Sequence, residues 1–131
     1  MIGRGVSIGC GRGIQPVPGR HLPVDDQFRL LKESGVYDHF DRMPQPGQEA
    51  EYLRASERHG VPIRTGLWSY TAGRDEDLLR RNLALCREAG GECHNIMLYA
   101  RHAHDRPVTD QEVVDFYLHG YEAAERIGMS I

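Results

Sequence analysis

Arg101-His102-Ala103-His104-Asp105 is the densest group of chemically capable side chains in this 131-residue chain. The two histidines flank a single alanine, so in extended backbone both imidazoles project to one side and could reach one metal ion or one substrate oxygen. A catalytic zinc-type centre needs a third protein ligand, and none stands at short spacing, so a solvated polar loop before the capping box weighs at least as much as any role. Trp68, followed by Ser69-Tyr70-Thr71, closes an apolar run. It is either core packing or the floor of a pocket for the apolar face of a sugar. Asp41-Arg42 closes another run, and Arg42 could contact a phosphate or hydroxyl, or make an exposed salt bridge. Cys93-His94 opens a run instead of closing one, which argues against a Cys–His nucleophile. Gly9-Cys10-Gly11-Arg12-Gly13 has the look of a phosphate loop, but a dinucleotide fingerprint would need glycine at Ile14 or Pro16. The Walker lysine is missing too, and Pro16, Pro18 and Pro23 delay the helix whose N-terminus would meet the phosphate.

The elements that would position these residues are marked by glycine. Four times a helix-like stretch runs into a glycine and a strand-like stretch leaves it, at Gly35, Gly60, Gly90 and Gly128. Strands are expected over Val6–Cys10, Val36–Arg42, Val61–Trp68 and His94–Tyr99, with a long Gly/Pro-rich loop from Gly11 to Val24. Asp25 is expected to cap the first helix, in which Phe28 and Leu31 share a face, and Gln48–His59 forms the second. Leu79, Leu83 and Cys86 make the i, i+4, i+7 stripe of a third helix with acids at its start and arginines toward its end. The fourth opens on the capping box Thr109-Asp110-Gln111-Glu112 and should bury Val113, Tyr117, Gly120, Ala124 and Ile127.

A β-α-β-α order implies parallel strands with crossover helices. An open sheet covered on both faces would make its central strands nearly all apolar, whereas Asp38, His39, Asp41, Arg64, Thr65 and Asn95 interrupt them. The expectation is therefore an α/β fold of about four βα units, residues 1–131 forming the N-terminal half of a (β/α)8 TIM barrel with a fifth strand just beginning. A net charge of −3 speaks against a nucleic-acid partner held by a basic face. No stretch approaches the apolar length that crosses a bilayer, and no signal-peptide core follows Met1, so a cytoplasmic protein without a membrane partner is expected. Three cysteines, Cys10, Cys86 and Cys93, form no CxxC pair and read as reduced thiols, with Cys86 buried.

Three runs, Gly35-Val-Tyr-Asp-His-Phe-Asp-Arg-Met-Pro, His59-Gly-Val-Pro-Ile-Arg-Thr-Gly-Leu-Trp-Ser-Tyr and Asp110-Gln-Glu-Val-Val-Asp-Phe-Tyr continuing to Gly128, resemble the first half of a sugar phosphate isomerase/epimerase with a xylose isomerase-like TIM barrel. The resemblance implies a sugar or sugar-phosphate substrate and a divalent metal (Mn, Mg, Co or Zn). It implies proton transfer between adjacent carbons, with ligands and acid/base carboxylates drawn from strand five onward. On that pattern no metal ligand falls on this chain, which alone would be inactive and bind metal weakly. Arg42, Trp68, Tyr99, His102 and His104 would form pocket wall. An endonuclease IV-like hydrolase is the alternative within the fold, and a non-catalytic half-barrel that binds a partner or forms a homo-oligomer is the alternative outside catalysis.

Overall fold

A computed structural model describes residues 9–10, 22–41, 43–44 and 47–131. The order is β1 (Gly9–Cys10), α1 (Val24–Ser34), β2 (His39–Phe40), α2 (Glu49–His59), β3 (Thr65–Tyr70), α3 (Glu76–Glu88), β4 (Cys93–Leu98) and α4 (Asp110–Arg126). The strands form two two-stranded parallel sheets, β1 with β2 and β3 with β4, the second paired from Thr65↔Cys93 to Tyr70↔Leu98. One bridge, Phe40↔Ile63, carries β2 on to the segment before β3, and another, Cys93↔Ser130, sets the end of the chain beside β4. Neighbours therefore follow chain order, as they do when each helix returns the chain to the next position of a parallel sheet.

Two apolar clusters hold the helices to one face. Phe28 and Leu31 of α1 and Tyr52 of α2 surround Phe40 and Ile63, with the Phe28 and Phe40 rings stacked at 5.0 Å. Leu79, Leu83 and Cys86 of α3 and Phe116 and Ala124 of α4 surround Tyr70. The stripe expected of α3 is thus the one buried.

The helix ends follow local chemistry. Gly35 and Gly60 take φ of 62°, the left-handed conformation that closes α1 and α2. The capping box is formed: Thr109 Oγ1 accepts from the Glu112 N–H while the Glu112 carboxylate accepts from the Thr109 N–H. Asp25, expected as a cap, lies one residue inside α1 behind Pro23, and its carboxylate instead meets Arg58 at 2.8 Å and His59 at 3.0 Å on α2. Proline at the helix start fixes φ and displaces the side-chain cap.

Strand bounds differ from expectation. Only His39–Phe40 of the run 36–42 is strand, and the third strand lies later, at Thr65–Tyr70. Inward-facing positions change from odd to even between Ile63 and Gly66, so one residue is out of step there, as at a bulge. Pro62 begins this irregular stretch, its carbonyl accepting from the Phe40 N–H at 2.9 Å. On α4 the buried line is Phe116, Gly120 and Ala124, while Tyr117 is 39% exposed and Val113 half-buried. Phe116 and Tyr117 both fit the helical period with Gly120 and Ala124, and the ring without a hydroxyl takes the inside. Val6–Ile8, the loop over 11–21 and Arg42 lie outside the described residues. Among the described residues, no helix is long and apolar enough to cross a membrane.

Candidate functional site on the face opposite the helices

Strand alternation divides the functional side chains between two faces. Gly66, Trp68 and Tyr70 of β3, with His94, Ile96 and Leu98 of β4, turn toward α3 and α4. Leu67 and Ser69, with Asn95 and Met97, turn the other way. Tyr99 continues that second set past the strand end, and Leu67, Met97 and Tyr99 are 39%, 55% and 56% exposed. Since Phe40 packs with Phe28 and Tyr52 among the helices, its neighbour His39 also belongs to the open face.

His39 is buried, and its Nε2 lies 2.6 Å from Asp41 Oδ1 at the C-terminal end of β2. A carboxylate on one imidazole nitrogen fixes the tautomer and the ring orientation, an arrangement that recurs in histidines that carry protons. Hydroxyl-binding groups (Ser69, Asn95, Tyr99) share the face with the apolar surface of Leu67 and Met97, a mixture suited to a ligand with both hydroxyls and C–H faces. His39 was legible only as a polar interruption of a strand. The i, i+2 spacing of His39 and Asp41 was the signal that could have singled it out.

Of the described residues expected to line one pocket, Tyr99 is separated from Trp68, His102 and His104. Trp68 packs against the α3–α4 cluster, on the face away from Tyr99. The segment 101–107 is a small hairpin closed by the antiparallel bridge Arg101↔Pro107, with Asp105 at φ 59° and its carboxylate held by Arg101 Nε at 2.6 Å. This turns His102 in over the start of α4, on the helix side of the sheet, where it is 9% exposed. His104 is exposed and stacks on His102 with centroids 4.9 Å apart. Their rings do share a side, as the spacing suggested, but not the side that carries Tyr99.

Beneath α3 is a buried polar cluster. Asn82 Nδ2 donates to the Tyr70 hydroxyl at 2.9 Å, and that hydroxyl lies 2.5 Å from His94 Nε2. With its lone pair taking the Asn82 hydrogen, the phenol donates its own to His94. Burial lowers the His94 pKa to about 4, raises the Tyr70 phenol above its ordinary range and pushes the Cys86 thiol up to about 11. These groups are held neutral inside the core, which fits structural roles.

Among the described residues, no three His, Cys, Asp or Glu side chains converge to hold a metal ion.

No family profile matches the chain, and no curated protein matches it. Among solved structures, its fold is similar to that of the apo 3-keto-D-glucoside 4-epimerase YcjR from E. coli, with a TM-score of 0.64 at 20% identity. The match covers 89% of this chain and 52% of that one, so the chain spans about half the length of the structure it resembles. The fold is α/β.

Proposed function

We propose that this chain provides the first four βα units of a (β/α)8 barrel of the sugar phosphate isomerase/epimerase kind, acting on a sugar or sugar phosphate by moving a proton between adjacent carbons. The observation that carries the reading is the sheet itself: parallel neighbours in chain order, helices on one face, and a polar open face with a carboxylate-held histidine at a strand's C-terminal end. In this reading the sugar lies on the open face. Ser69, Asn95 and Tyr99 contact its hydroxyls, Leu67 and Met97 its C–H face, and the His39–Asp41 pair takes or returns a hydroxyl proton. The divalent metal of such a barrel, when bound, would polarise the carbonyl oxygen. In this reading its ligands and the acid/base carboxylates come from strand five onward, and the 131 residues bind sugars without turning them over.

Calorimetric titration of the purified chain with ketoses, keto-glucosides and sugar phosphates tests this. Saturable binding weakened at least ~10-fold in His39→Asn and in Asp41→Asn is expected, since losing a directed hydrogen bond to a charged partner is worth about 1.5–3 kcal/mol. Binding that ignores both substitutions would sink the assignment.

A specific observation also favours self-association. Val114, Tyr117, Leu118 and Tyr121 on α4, with Ile131, line an apolar groove of about 430 Å³. At i, i+3, i+4 and i+7 they form an exposed stripe suited to a second helix. Concentration-dependent sedimentation reduced by Tyr121→Glu is expected, whereas a monomer at every concentration would remove this reading.

A further inference from the structure

Away from the open face, a cavity of about 340 Å³ lies between the first turns of α3 and α4, beneath the loops that follow β3 and β4. Gly73, Glu76, His102, Glu112, Asp115 and His119 line it, with Phe116 as its apolar wall and no lysine or arginine. Two imidazoles each bring one nitrogen to it. His102 Nδ1 accepts the His104 N–H at 3.1 Å, so the neutral ring carries its hydrogen on Nε2. That nitrogen has only Glu112 Oε1 near it, at 3.6 Å, beyond hydrogen-bond length. Both Glu112 oxygens are in any case occupied by Arg106, at 2.6 and 2.9 Å, and the Thr109 N–H adds a third bond. His119 Nε2 is buried with no hydrogen-bond partner among the described residues. Buried polar atoms are nearly always paired, so the His119 nitrogen calls for a partner, and His102 Nε2 lines the same cavity without a hydrogen bond at ordinary length.

The chemistry of the lining narrows what that is. A metal ion needs a lone pair on His102 Nε2, and the bond from His104 to Nδ1 places a hydrogen there instead. An anion is disfavoured by the Asp115 and Glu76 carboxylates, with no cation among the lining residues and the Arg106 charge already spent on Glu112. Asp115 Oδ1 accepts from Gln111 at 2.8 Å and Glu76 Oε1 from the Gly73 N–H at 2.6 Å, leaving one oxygen of each carboxylate without a described hydrogen bond. The site thus offers one fixed donor, one imidazole nitrogen and two acceptors. Hydroxyl groups, which donate and accept at once, match that set. Gly73 belongs to the construction, because a Cβ there would collide with Cε1 and Nε2 of His102 and push the ring out of place.

We propose that this cavity binds a small uncharged polyhydroxylated molecule, a polyol or a free sugar, through His102 Nε2–H, His119 Nε2, Asp115 and Glu76. The site is separate from the open face and requires neither a carbonyl nor a phosphate of its ligand. The probe is myo-inositol, titrated into the full chain with 15N-labelled histidine and read by side-chain NMR. Saturable shifts of the His102 and His119 ring nitrogens are expected, with those of His39 unmoved. Affinity should fall at least ~10-fold in His119→Leu and in Asp115→Asn, stay unchanged in His39→Asn, and be at least ~10-fold weaker for inositol phosphates. An unchanged His94 signal identifies variants that still fold, and Glu76→Gln replaces either one that does not. No saturable shift at His102 and His119, shifts that persist in both variants, or the same shifts produced by magnesium or zinc chloride alone would each overturn the proposal. Loss of ketose binding in His39→Asn speaks only to the open face, so the two assignments fail separately.

Discussion

His94 shows how a titratable side chain can serve packing. Its ring accepts from the Tyr70 hydroxyl, faces no charged partner in the core and titrates near 4 because burial disfavours the cation. An unfolded histidine takes up its proton near 6.5, whereas the folded one resists until about 4. A folded pKa below the unfolded one means the contribution is complete above pH 6.5 and lost as pH falls toward 4. The size is roughly 3 kcal/mol for a shift of this magnitude. Urea unfolding at pH 7.5 and pH 4.5 checks it: stability should drop over that window, and the drop should be smaller in His94→Leu. An equal drop in both proteins would place the acid sensitivity elsewhere. His94 was legible as a structural residue because it opens a strand, at the end of a parallel array away from the functional loops. His102 and Trp68 were harder, since the face a side chain takes depends on strand parity and hairpin geometry that neighbouring residue types do not encode.

At the scale of elements, the signals that worked were local. The Thr109–Glu112 capping box, the left-handed glycines after α1 and α2 and the Leu79, Leu83, Cys86 stripe each follow from chemistry within one or two turns. Thr109→Ala should cost about 1 kcal/mol, read as a lowered denaturation midpoint with an unchanged m-value. The bounds of β3 were missed because its register is set by packing on two separate clusters, a tertiary effect. Gly66 marks the consequence, for a Cβ there would meet the Met43 sulfur and His94 Nδ1. Gly66→Ala is therefore expected to destabilise by about 1–3 kcal/mol, as overpacking does. A fully stable Gly66→Ala would mean that the β3–β4 face is less tightly closed than described.

For the whole molecule, the fold class was legible from the helix–glycine–strand rhythm, which reports alternation and hence parallel order. What the rhythm cannot report is which strand face meets a ligand. The open face mixes apolar Leu67 and Met97 with Ser69, Asn95 and Tyr99, and sits behind a sheet whose other face is filled by helices. The most direct measurement is a methyl-resolved NMR titration of the full chain with a ketose that binds it. Shifts of the Leu67 and Met97 methyls, together with the His39 ring, are expected, while the Leu79 and Leu83 methyls under α3 stay in place. Shifts confined to the helix side, or none at Leu67, Met97 and His39 under saturating sugar, would contradict the assignment of this face as the sugar-binding surface.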